Sequence, residues 1–82
     1  MKQEIKTFNF DGHSIGTLSL NGKPMFIGND VAKVLGYLNY RNAITKHVDE
    51  EDKLRTQIEY AGQNREMTVI TESGVYSLIF SS

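Results

Sequence analysis

Two dipeptides, Asp11-Gly12 and Asn21-Gly22, constrain this chain more than any other feature of it. Asp-Gly and Asn-Gly accept positive φ at both central positions of a type I′ turn, whose twist matches that of the strands it joins. The first sits between Thr7-Phe8-Asn9-Phe10 and Ile15-Gly16-Thr17-Leu18-Ser19-Leu20, and the second between that run and Met25-Phe26-Ile27. The spacing therefore predicts a three-stranded antiparallel meander. Phe8 with Phe10, and Leu18 with Leu20, share a face within their strands, as a sheet with one buried side requires. Pro24 opens the third strand, and its missing amide hydrogen marks that strand as an edge.

Beyond Gly28 the apolar period changes from two to that of a helix. Val31, Val34 and Leu35 follow Asn29 and Asp30, either of which suits a cap, and Gly36 stops the run. A second helix is expected from Tyr40 to Val48, capped by Asn39, with Tyr40, Ala43, Ile44, His47 and Val48 on one side. Arg41, Asn42, Thr45 and Lys46 fall on the other. The acidic run at 49–52 ends this helix and reads as a solvated loop. Leu54, Thr56, Ile58 and Tyr60 then alternate into a second hairpin, with a loop near Ala61-Gly62-Gln63-Asn64 and a return through Met67, Thr68, Val69 and Ile70. Thr71 looks like the cap of a last helix carrying Val75, Tyr76, Leu78, Ile79 and Phe80. The fold class is α+β: a meander and a second hairpin packed with two or three short helices.

Several kinds of function have nothing to stand on. At 82 residues the chain is one domain, near the lower size limit for a single apolar core. It has no cysteine, hence no thiolate zinc ligation or disulfide framework, which fits the cytoplasm. No apolar run approaches the roughly 18 to 20 residues that span a bilayer, so no membrane partner is expected. His13 and His47 lack a metal-ligand spacing, and His47 sits on the apolar side of its helix, where it packs or caps. Ser73-Gly74 and Gly12-His13-Ser14 lack the elbow spacing of nucleophile motifs, and Gly22-Lys23 lacks the rest of a P-loop. Glu72 and Ser73 suit a helix start better than an active site. No catalysis, metal or cofactor is expected.

The more informative segment is Asp30-Val31-Ala32-Lys33-Val34-Leu35-Gly36-Tyr37 with the helix after it. Ala32 and Gly36 have the spacing of a helix-turn-helix, in which a small residue admits the second helix and a glycine takes the left-handed turn. The apolar position expected ten residues after the alanine is Asn42, and Ile44 fills it only if the turn is two residues longer. The net charge of −1 gives no overall message. Its distribution does, since Lys33, Arg41 and Lys46 stand against Asp30 alone across residues 29–48. The candidate nucleic-acid surface is Lys33, Tyr37, Arg41, Asn42, Thr45 and Lys46. Arginine and asparagine can contact base edges, and lysine serves phosphates.

These residues resemble the Bro amino-terminal (BRO-N) domain of prophage antirepressors and of the Bro proteins of large insect DNA viruses. Lys23-Pro24-Met25-Phe26-Ile27 leading into Asn29-Asp30-Val31-Ala32-Lys33-Val34-Leu35-Gly36-Tyr37 is similar to that family's aromatic, Asp-Val-Ala and Leu-Gly-Tyr signature. Asn42-Ala43-Ile44 with His47-Val48-Asp49-Glu50-Glu51-Asp52-Lys53, then Met67-Thr68-Val69-Ile70, resemble its middle blocks. Thr71-Glu72-Ser73-Gly74-Val75-Tyr76-Ser77-Leu78-Ile79 is similar to its Glu-Ser-Gly and Tyr-Ser-Leu-Ile block. The likeness runs from about Phe8 to Ser82. A Phe-x-x-Trp-Val segment that follows in family members is missing, so residues 1–82 are expected to be one such domain shortened at its carboxy end.

The resemblance implies a phage-type regulatory domain acting in the bacterial cytoplasm. Its viral members imply DNA as the partner, and its antirepressors imply a phage repressor or another regulatory protein. The apolar end from Val75 to Phe80 and the acidic run suit a protein partner or a homodimer. In the alternative reading Val75 to Phe80 close the core against Phe8, Phe10, Leu18 and Leu20.

Overall fold

The turn at Asn21-Gly22 forms with φ of 52° and 79° at its two residues, the left-handed pair that a type I′ hairpin needs. In the computed structural model, which describes residues 5–10, 12–60 and 62–81 without the side chains of Phe10 and Tyr60, it joins β2 (His13–Leu20) to β3 (Lys23–Ile27). β1 (Lys6–Phe10) pairs antiparallel with β2, completing the meander. Asp11 lies outside the described residues, and Gly12 has φ of 80°.

The second hairpin is tighter than its sequence suggested. β4 (Lys53–Tyr60) and β5 (Gln63–Thr71) pair along their length with Tyr60 opposite Gln63, so Gln63 and Asn64 belong to the strand and not to a loop. β5 also pairs with β3, which fuses meander and hairpin into one antiparallel sheet in the order β1-β2-β3-β5-β4. The strand opened by Pro24 is therefore central and not an edge. Residues flanking a two-residue turn exchange hydrogen bonds, so Lys23 bonds to Leu20 and the nitrogen of Pro24 faces away from β2. On that other side β5 pairs only with residues 25–27, and the ladder loses no bond to the proline.

Three helices fill the remaining chain: α1 (Gly28–Val34), α2 (Tyr40–His47) and α3 (Glu72–Ser81). α1 starts straight out of β3 with Ile27 at the cap position and no side-chain cap, contrary to the role expected of Asn29 or Asp30. Asp30 instead reaches sideways, and its Oδ2 accepts the Gly16 amide at 2.8 Å. α3 begins as expected, with Thr71 Oγ1 accepting from the Gly74 amide. That hydroxyl also donates to Asp52 Oδ1, so the acidic segment, a 3₁₀ turn at Glu50–Asp52, is partly structural and not only a solvated loop.

Alternation divides the sheet into two apolar faces. Ile15 and Ile70 join Val31, Ala43, Ile44, Val48 and Leu78 in a cluster roofed by the helices. Leu18, Met25, Ile27, Ile58 and Val69 make a second cluster from strands alone, flanked by Ile5, Leu20 and Met67. Phe8 faces Ile15 in register, opposite in side to Leu18 and Leu20, and at 55% exposure it is not a core residue. Leu78 packs in the helix-roofed cluster, not against Leu18 and Leu20. On the outer strand β4, Ile58 is buried in this second cluster while Leu54 on the same side is half exposed.

Candidate nucleic-acid interface

The sequence of α2 orients it by burial on one side and solvation on the other. Asn39 caps its start, with Oδ1 accepting the Asn42 amide at 3.1 Å, and satisfies an amide that no turn of helix could reach. Ala43, Ile44 and Val48 are buried in the cluster that α2 shares with α1, α3 and the sheet, which leaves Arg41, Asn42, Thr45 and Lys46 exposed. Among the described residues neither Arg41 nor Lys46 enters an ion pair or a side-chain hydrogen bond. Their charges are thus available to an external anion.

The link between α1 and α2 places this face. Gly36 has φ of 89°, its amide bonds to the Lys33 carbonyl, and the Tyr37 amide bonds to the Ala32 carbonyl. That pair of bonds is a Schellman ending, which needs a left-handed residue at Gly36. Ile44 is 4% exposed and Asn42 exposed, so Ile44 takes the apolar position of the second helix and the turn is the longer of the two forms the sequence allowed. Lys33 is exposed in the last turn of α1. Tyr37 departs from the expected surface: its hydroxyl donates to the Leu78 carbonyl at 2.8 Å, and its ring lies 5.8 Å from that of His47. Both of these side chains pack helix to helix, and Tyr37 holds the turn against α3.

Sequence reasoning did not find the residues that face α2 across a groove of about 470 Å³. Arg41, Ile44 and Thr45 form one wall, and Lys53, Arg55, Glu66 and Thr68 of the second hairpin stand among the residues of the other. Arg55 faces Thr68 in register, and its guanidinium is held by Glu66 Oε1 at 2.9 and 3.0 Å and by Thr68 Oγ1 at 3.2 Å. Lys53 lies 3.4 Å from Glu50 and is mostly covered. The available signal was the two-residue turn near Gly62: once Gln63 is placed in the strand, the register carries Arg55 to Thr68 and Gln57 to Glu66.

A family model, the BRO family N-terminal domain, matches residues 14–82, which takes in the helix pair, the groove and α3. The chain belongs to the BRO family. This Bro-N domain is 37% identical over 94 aligned residues to a Bro-N domain-containing protein of Invertebrate iridescent virus 6, covering 93% of this chain and 22% of that protein. It is 34% identical over 85 aligned residues to an uncharacterized protein of Haemophilus influenzae, covering all of this chain and 42% of that one. The chain thus spans less than half the length of these relatives. No solved structure matches it with significance. Bro-N is a family of regulatory domains of the phage and viral kind and not a family of enzymes. Among the described residues no helix is long and apolar enough to cross a membrane.

Proposed function

We propose that this Bro-N domain is a DNA-binding regulatory module that presents α2 to a duplex. The observation that carries the reading is that Arg41 and Lys46 have no ion-pair partner among the described residues and stand beside exposed Asn42 and Thr45, on a helix whose opposite side is locked into the core. Arginine and asparagine are the side chains that form paired hydrogen bonds to guanine and adenine edges, and lysine and threonine suit phosphates. Lys33 adds a cation at the end of α1. With so few cations, binding is weak and its fall with salt is modest, since each phosphate neutralised contributes about 0.9 to the slope of log affinity against log salt. The test is a chemical-shift titration with a short duplex at low salt. Amides of residues 40–47 should move, and Arg41→Glu with Lys46→Glu should abolish the shifts. A titration that leaves α2 unmoved removes the reading.

A second reading, a protein-binding module that antagonises a phage repressor or self-associates, is supported by α3. Tyr76, Ile79 and Phe80 stay exposed there, with the rings of Tyr76 and Phe80 stacked at 6.5 Å. Exposed aromatics are the usual centre of a protein interface. A concentration-dependent sedimentation coefficient, reduced by Phe80→Ser, would favour it, and a strictly monomeric chain that ignores its repressor would exclude it.

A further inference from the structure

We infer that the β4–β5 hairpin is the second wall of the DNA interface, and that Glu66 occupies Arg55 in the free protein as a stand-in for the phosphate that displaces it. The inference rests on the proposed docking of α2 and extends it to residues outside that helix.

Arg41 lines the groove from α2, and Lys53 and Arg55 line it from the hairpin beside the carboxylates of Glu50 and Glu66, while the Arg65 side chain sits on the other face of the sheet with Ile58 and bonds to Gln63. With Arg41 included the groove holds three cations to two carboxylates, and cations on both of its walls complement the backbone of a duplex, whose phosphates flank any groove that a helix enters. Lys53 is committed to Glu50 and largely covered, so the groove's adjustable charge is Arg55. Its guanidinium and the Glu66 carboxylate are both more than half exposed, which makes their pair replaceable at little cost to the fold. The pair also fixes the guanidinium in place, with Nε and one terminal nitrogen both on Glu66 Oε1. A phosphate oxygen can take those two donors as the carboxylate does, and Thr68 keeps hold of the remaining nitrogen. The hairpin therefore offers a pre-oriented arginine with an internal anion already seated on it.

Displacement of Glu66 by phosphate requires opposite signs for two substitutions in one ion pair. Arg55→Ala removes the phosphate contact, and affinity for a short duplex should fall about tenfold, the worth of a charge-assisted hydrogen bond. Glu66→Gln frees the same arginine and deletes a repulsive charge, so affinity should rise severalfold. The salt slope should flatten by about 0.9 in the first variant and hold or steepen in the second. Fluorescence anisotropy against salt on the 82-residue chain reads both, with circular dichroism melts to check that each variant remains folded. Equal losses in both variants would make the pair merely structural and overturn the inference. Wild-type binding by both, with Arg41→Glu and Lys46→Glu still abolishing it, would overturn the hairpin's role and leave α2 standing. No binding by the unaltered chain would remove both.

Discussion

Asp30 shows how much one side chain can decide in a chain of this size. Its position before Val31 suits a helix cap, yet the helix has already begun at Gly28, and the carboxylate crosses to the Gly16 amide of β2. Gly16 permits this approach, because a Cβ there would fall 2.8 Å from Ile27 Cγ1. The bond pins the start of α1 beside the meander at the point where the pairing of β2 with β3 ends. Asp30→Ala leaves a partly buried amide without its acceptor and should cost about 1–3 kcal/mol in urea unfolding. Asp30→Asn keeps an acceptor oxygen and should recover most of that loss, and a urea midpoint equal to that of the alanine variant would contradict the account.

At the scale of elements, α2 cannot hold itself together. Eight residues are far below the roughly 12–15 at which an isolated helix becomes even marginal in water, so its shape comes from its cap and its packing. Asn39→Ala should cost about 1 kcal/mol, with faster hydrogen exchange in the first turn of α2 and weaker duplex binding. Asn39→Asp restores an oxygen acceptor and adds a favourable negative charge at the helix start, so thermal melting should return to the original value. The elements were readable wherever local chemistry sufficed: glycine-bearing turns for the meander, Asn39 and Thr71 for two helix starts, Gly36 for one helix end. The misreadings at Pro24 and at Gln63 and Asn64 arose because both depend on what a neighbouring strand does. Proline is harmless in a central strand when the adjacent ladder stops short of it, a fact that belongs to β5.

Across the whole molecule, Leu78 joins the parts. It is fully buried in the cluster that holds Ile15, Val31, Ala43, Ile44, Val48 and Ile70, where α3 meets both other helices and the sheet. The carbonyl of the same residue receives the Tyr37 hydroxyl from the α1–α2 turn. Gly74, one turn earlier, lets α3 approach this closely, since a Cβ there would lie 3.1 Å from both Ile70 and Val48. Leu78→Ala should cost about 2–5 kcal/mol. Small domains hold only about 5–15 kcal/mol in total, so the variant should melt many degrees lower and lose affinity for DNA in parallel. Unchanged melting would show that α3 is not part of the cooperative unit.

The residues alone determined the α+β class, the two hairpins, the capped second helix and the outward direction of Arg41, Asn42, Thr45 and Lys46, because turn chemistry and helical period act over a few neighbours. The tertiary structure decided which strands sit side by side, that Tyr37 faces α3 and not solvent, and that Arg55 and Glu66 meet across from α2. Those three outcomes depend on register and on contacts between residues 11 to 46 apart. The first two have no local signature, since they arise only when the apolar faces close on one another, while the third follows from a hairpin register that hinges on a single turn.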